Sequence, residues 1–269
     1  MPLHWNGKVA GGALGVNELK CKLRTVTGNW WSAATGRGPR TLLGRSFPWH
    51  LCLVATTFWV GEIHDPNAHD GSQMISAYDG WWYERYGGCD GVVEDGVCNT
   101  EVREAANNYF PKHMTPQQNP FYLDLPFNDV TNEKAFSQRH LIPWANDFGY
   151  AGNLENKNFS YMKNRWVELS FRGKTCFAQI ADAGPVVYDD FEYVFGENNE
   201  RPKNSEFNGA GMDVSPAVVG CLGFDALNGT QAGVSWRFVD EVDVPDGPWK
   251  IVVTESGYDW SSGGPQANQ

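Results

Sequence analysis

No stretch of this chain is apolar for long enough to cross a bilayer. The longest apolar run, LCLVATTFWV from Leu51 to Val60, falls well short of the ~20 residues that a spanning helix needs, and it is rich in β-formers, so it reads as a buried strand. Positive charge is scarce: 21 Lys and Arg stand against 32 Asp and Glu, a formal net charge of -11. Nucleic acid and anionic membrane surfaces are therefore excluded as partners, because little here can neutralise phosphates. None of the six cysteines forms a C-x-x-C pair, which removes the usual spacing for a zinc site or a thioredoxin-like redox motif. His64, His69 and Asp70 share a polar segment whose spacing reads as solvated surface, so neither a metal nor another cofactor is expected. Internal repeats and heptads are also missing. The start, MPLHWNGKVAGG, has neither a basic nor an apolar signal region. Together with the cysteines, it leads to the expectation of a secreted or periplasmic protein whose signal has been removed.

What is present indicates β structure. At 269 residues and 41% hydrophobic content, the chain is long enough for one sizeable core. Residues 1–50, rich in Gly, Arg and Trp without periodicity, read as an irregular arm. The body is expected over 51–256, with a large insertion at 62–119 and a flexible tail at 257–269. Within the insertion, EVREAANNYFP suggests a short helix stopped by Pro111, and Cys89 and Cys98 bracket CDGVVEDGVC, a loop with little to bury that a disulfide would close. After Asn119, the segments PFYLDLPFND, NRWVELSFRGKTCFAQIAD, VSWRFVDEV and PWKIVVTES read as strands separated by turn chemistry. Only one convincing helix interrupts them. It begins at Ser215-Pro216, an N-cap followed by proline at the first helical position. Many short strands, one small helix and long loops indicate an all-β closed barrel. Asn158-Phe-Ser and Asn228-Gly-Thr match the N-glycosylation sequon.

Two carboxylates draw attention. Asp182 ends a strand in Asp-Ala-Gly-Pro, where Gly and Pro turn the chain away, and Asp213 lies between Met212 and Val214 just before the helix. Asp213 has two readings from position: a helix cap, or an acid facing the same groove as Asp182.

The ordered set LPF (125–127), IADAGP, GMDVSPAVVGCLG and GVSWRFV resembles the double-psi β-barrel proteins: rare lipoprotein A, expansins, family-45 endoglucanases and A-type lytic transglycosylases. The similarity covers about residues 119–254, with TTFWVG (56–61) resembling the opening strand. It implies a six-stranded double-psi β-barrel with long loops, one short helix and an elaborated amino-terminal region. By the same resemblance, Asp213 matches the endoglucanase aspartate that protonates the glycosidic oxygen, and Asp182 matches the aspartate of the D-R-G-P turn in rare lipoprotein A. Two departures stand out. Val60 occupies the place of the endoglucanases' second, base-like aspartate, and Tyr122 stands for a histidine before L-P-F.

Cleavage of a glycosidic bond needs an acid near the leaving oxygen, and inversion adds a second carboxylate ~6.5 to 9.5 Å away to activate water. Candidates for that second group are Asp182, Asp124, Asp129, Asp189 and Glu62. Trp81, Trp82, Tyr86, Tyr78 and Trp59 are expected to stack on sugar rings, joined by Tyr122 and Asp124 as substrate-binding residues, whereas Trp166, Trp236 and Trp249 read as core. The expected function is that of an extracellular polysaccharide-active monomer, first an endo-β-glucanase-like hydrolase with Asp213 as acid and Asp182 as the best-placed second carboxylate. The alternatives are a peptidoglycan lytic transglycosylase, which needs one such residue, and a non-catalytic expansin-like wall-binding protein.

Overall fold

The computed structural model describes residues 45–64 and 72–258. The expected arm up to residue 44, His69, Asp70 and the tail from residue 259 lie outside the described residues.

Six strands close into a barrel: β1 (His50–Thr57), β4 (Tyr122–Leu125), β5 (Trp166–Phe171), β6 (Lys174–Ala183), β7 (Ala210–Val214) and β8 (Thr230–Val239). Their order around the barrel is β1-β7-β4-β6-β5-β8. Two neighbouring pairs, β1 with β7 and β4 with β6, run parallel, and the other four contacts are antiparallel. Strands β2 (Val92–Glu94) and β3 (Val97–Asn99) form a separate hairpin in the segment after β1. The all-β closed barrel expected from the strand and turn pattern is therefore the observed architecture.

Alternation sorts the barrel residues into two faces. Leu53, Ala55, Leu123, Leu125, Val167, Leu169, Cys176, Ala178, Ile180, Met212, Val214, Val234, Trp236 and Phe238 fill the interior. On the outside of β4, Tyr122 packs with Phe58, Val60, Trp82 and Tyr86 into a smaller cluster built by the segment after β1. That segment is a second layer of the protein, and it covers the face on which the candidate site lies.

Helices are short and more numerous than the single one expected. Besides the helix after Asp213, the described residues contain α1 (Trp82–Tyr86), α2 (Glu133–Ser137) and α3 (Phe191–Phe195). Asn132 and Asp190 cap α2 and α3, a signal present in the sequence but with too few residues behind it to show a helical period. The fourth, α4 (Pro216–Leu222), starts where expected, with Ser215 Oγ accepting from the Val218 N–H at 3.3 Å. EVREAANNYFP is corrected from a helix to one 3-10 turn, Ala105–Asn107, after which Asn108 and Tyr109 adopt positive φ. PWKIVVTES is likewise not a strand: it contains a 3-10 turn, Pro248–Lys250, and an irregular segment tied to the barrel where the Thr254 N–H donates to Gln179 Oε1 at 2.9 Å. The barrel closes without it, and from this segment Trp249 and Val253 pack against the cluster of Trp166, Phe177, Val239 and Val244.

The Cys89–Cys98 disulfide is present, with Cα atoms 5.6 Å apart. It packs against Trp59 and Tyr83, and Trp59 Nε1 donates to the Cys98 carbonyl at 3.0 Å.

Candidate functional site: a row of aspartates across three strands

Three adjacent strands, β7, β4 and β6, each carry an aspartate at the same level. Asp124 on β4 pairs with Asp213 on β7 on one side and with Asp182 on β6 on the other. Like charges placed directly opposite each other on a sheet are destabilising, so a folding requirement alone does not account for this row.

The local reason for the alignment is a bulge. The β4–β6 register runs Leu123 to Ile180 and then Asp124 to Asp182, so Ala181 is an extra residue on β6. Ala181 faces the outer cluster, Ala183 returns to the interior, and the bulge thereby turns Asp182 to the same face as Asp124. A similar shift between Val54 and Ala55 on β1 sets Thr56 opposite Asp213.

Each carboxylate has a different setting. Asp124 is 3% exposed, and its Oδ1 accepts from the Asp213 backbone N–H at 2.7 Å. Its Oδ2 lies against Gly184, where any Cβ would stand 2.6 Å away, which explains the glycine after Asp182-Ala183. Asp182 is 7% exposed, and its Oδ1 accepts from the N–H groups of Ala77 and Ala183, both at 2.7 Å. Asp213 is only partly covered, and its buried Oδ1 has no hydrogen-bond partner.

Burial raises the proton affinity of the whole row, and neighbouring charge adds to it at Asp124 and Asp213. Desolvation, then the charges of Asp213 and Asp182, push Asp124 well above the usual carboxylate range. Desolvation raises Asp182 to about 7, against the opposing N–H bonds from Ala77 and Ala183. Desolvation, then the charges of Asp182 and Glu62, raise Asp213 to about 7, against an opposing hydrogen bond with the Asp124 carboxyl. A carboxylic acid so placed keeps a proton near neutral pH, which suits a general acid.

Helix capping does not explain Asp213. Ser215 supplies the cap through its side chain, and it also ties α4 to β4, donating its N–H to the Tyr122 carbonyl at 3.0 Å. The cap is thus two residues beyond Asp213, which is left free to face the row.

The aromatic platform requires correction. Trp59, Tyr78, Trp82, Tyr86 and Tyr122 are all buried under the surface, where a sugar ring has no access to their faces. They were singled out by composition, but a segment that must cover a barrel face uses its aromatics inward. Trp81 alone of the group stays on the surface, at 38% exposure. Tyr78 instead walls the row: its hydroxyl donates to the Phe127 carbonyl at 3.1 Å, and its titration feels both Asp182 and Asp124. The Tyr122 hydroxyl accepts from the Val60 N–H at 3.0 Å and donates to Asp90 Oδ2 at 2.8 Å, in a buried network that contains the Arg103–Asp90 ion pair. Val60 itself faces this outer cluster, so the position matching the endoglucanase base lies within packed apolar side chains.

Two other candidates for a second carboxylate are placed elsewhere. Asp129 is buried and engaged by Ser160, Tyr161 and Arg139, and Asp189 pairs with Lys134 at 2.6 Å near the surface. Glu62, by contrast, lies close enough to Asp213 to raise its proton affinity. Among the described residues, no group of three or more His, Cys, Asp or Glu is arranged to hold a metal ion, and no helix is long and apolar enough to cross a membrane.

No protein family, curated protein or solved structure shows significant similarity to this chain.

Proposed function

We propose that this protein cleaves glycosidic bonds of an extracellular polysaccharide, with Asp213 as the general acid. The observation that carries the reading is the aspartate row: two buried carboxylates stand beside a third, partly open one whose proton affinity is raised by burial and neighbouring charge. Burial, then the charges of Asp182 and Glu62, favour a proton on Asp213, and Asp213 delivers it to the leaving oxygen. The resemblance to double-psi β-barrel proteins supports the same role for Asp213 and favours a β-linked glucan as substrate. Of the aromatic residues expected to stack on sugar rings, Trp81 is the one that stays on the surface. The Cys89–Cys98 disulfide supports action in an oxidising compartment, outside the cytosol.

The test is to incubate wild-type protein and the Asp213→Asn variant with mixed-linkage β-glucan, carboxymethylcellulose, chitin and peptidoglycan, and to read products by mass spectrometry. Hydrolytic oligosaccharides from the wild type and a fall of ~10² or more in the variant are expected. Anhydro-sugars would identify lytic cleavage instead. The absence of products from all four polymers, with retained binding, would favour a wall-binding protein.

A further inference from the structure

We infer that Asp124 is a positioning residue for Asp213: it keeps its own proton throughout turnover and donates it in a hydrogen bond to the carboxylate left when Asp213 has acted as the acid. The assignment rests on reading the aspartate row as a glycoside-cleaving site. Asp124 is the middle member of the row, and it reaches Asp213 directly. The two stand opposite each other on antiparallel strands, an arrangement that sets Cβ atoms ~4.5 to 5.5 Å apart. Asp124 Oδ1 also accepts from the N–H of Asp213 itself at 2.7 Å, so the side chain of one lies on the backbone of the other.

Of the three carboxyls, Asp124 is the one least able to ionise. It is 3% exposed, and among the described residues it receives one N–H, whereas Asp182 receives two, from Ala77 and Ala183. Asp182 and Asp213 flank it on both sides. A charge there would face two carboxyls with one N–H and little water, so the neutral acid is favoured. The other titratable groups near it are Tyr78 from the covering layer, whose hydroxyl donates to the Phe127 carbonyl, and Tyr193 from α3, whose hydroxyl accepts from Trp236 Nε1 at 2.9 Å. Because Oδ1 accepts the Asp213 N–H, the proton belongs on Oδ2, the oxygen for which Gly184 leaves room. Asp213 in turn has a buried Oδ1 with no partner, and its carboxylate lacks the donor that a hydroxyl on Asp124 supplies. The hydrogen bond between the two carboxyls raises the proton affinity of Asp124 and lowers that of Asp213, as it must when Asp124 holds the proton.

The carboxylic acid of Asp213 transfers its proton to the glycosidic oxygen as the bond from that oxygen to the anomeric carbon breaks. The negative charge left on Asp213 forms in a buried setting, where the charges of Asp182 and Glu62 oppose it. A donor already aimed at that charge offsets their effect without rearrangement at the moment of reaction. Asp124 neither touches the sugar nor gives up its proton, and Asp213 takes its next proton from solvent.

The experiment follows wild type, Asp124→Asn and Asp124→Val by carboxyl ¹³C NMR titration of aspartate-labelled protein, with each resonance assigned by its loss in the matching asparagine variant, and by turnover on the polymer cleaved in the screen. Asparagine keeps Oδ1 for the Asp213 N–H and places an amide N–H where the hydroxyl stood, whereas valine fills the space on the strand with neither group. In the wild type, Asp213 is expected to ionise before Asp124 as the pH rises. Asp124→Asn is expected to keep the Asp213 midpoint near 7 and turnover within ~10-fold of wild type, while Asp124→Val raises that midpoint and loses ~10² or more in kcat, the effect of removing one preorganised donor. An Asp124 that ionises before Asp213 overturns the inference. An Asp124→Asn variant as inactive as Asp213→Asn also overturns it, by making Asp124 an acid in its own right, and so does an Asp124→Val variant that matches wild type in both readouts. Should Asp124→Val fail to fold, the titration order and the asparagine variant still decide. A wild type that cleaves no polymer removes the reading of the site and the catalytic purpose of the pair with it, and the titration order, read without substrate, distinguishes that failure from a failure of the pair itself.

Discussion

Replacing Asp213 by asparagine should make the protein relatively more stable as the pH rises. The folded protein raises the Asp213 pKa from its ordinary value of 3.8 to about 7, so the native state binds this proton more tightly than the unfolded chain does. The stabilisation from the bound proton is complete below the unfolded pKa and is lost as pH rises through the folded one, between about pH 4 and 7. Three pKa units correspond to a ceiling of about 4 kcal/mol at ~1.36 kcal/mol per unit. Solvent at the open edge of Asp213 screens the charge, and sharing of the proton with Asp124 lowers the figure further, so about 1–2 kcal/mol is expected. Asparagine has no ionisation to pay for. His50, buried and lowered to about 4, costs stability as pH falls below its ordinary 6.5, but it does so in both proteins and cancels in the comparison. Urea unfolding of wild type and variant at pH 5 and pH 8 measures the effect as a change in their stability difference. A difference that is the same at both pH values, or one that moves in favour of the wild type at pH 8, would refute the reasoning.

Further outcomes follow from the same geometry. On the polymer it cleaves, kcat/KM should fall as pH rises through about 7, because Asp213 must be protonated to act, and pH–rate profiles would show a limb near 4 instead if its proton were not held. Gly184→Ala should lower the melting temperature and activity together, since the new methyl would sit 2.6 Å from Asp124 Oδ2 and push that carboxylate out of the row. Removing the Cys89–Cys98 bridge as a double serine variant should cost about 2–3 kcal/mol by loop closure alone, read by denaturant unfolding. Trp81→Ala should raise KM with little change in melting temperature, whereas Tyr122→Phe should cost about 1–3 kcal/mol by leaving Asp90 Oδ2 and the Val60 N–H without their shared hydroxyl.

Local chemistry made much of this architecture legible. The hairpin at Arg172-Gly173 and the Ser215-Pro216 helix start are decided by residues adjacent in the chain, and both are found where the sequence places them. Asp213 and Asp182 were recognisable because each sits at a strand end beside turn chemistry. The central position of Asp124 was not, because it depends on which strands become neighbours and on a bulge at Ala181 that no local signal announces. The aromatic residues misled for a related reason. Whether Trp82 or Tyr86 faces solvent depends on how the segment after β1 folds back on β4, a long-range contact that composition does not encode. The run Ile251-Val-Val-Thr254 has strand propensity, yet the barrel closes through β8 and β1 and leaves no edge for it to join.

The claim on which the other arguments rest is that Asp213 carries a proton near neutral pH. Carboxyl ¹³C NMR of protein labelled at aspartate, with the Asp213 resonance assigned by its loss in Asp213→Asn, measures this without any substrate. The account predicts a titration centred near 7, displaced downward when Glu62 is replaced by glutamine, because one repelling charge is removed. A titration centred near 4 that is indifferent to Glu62 would contradict it.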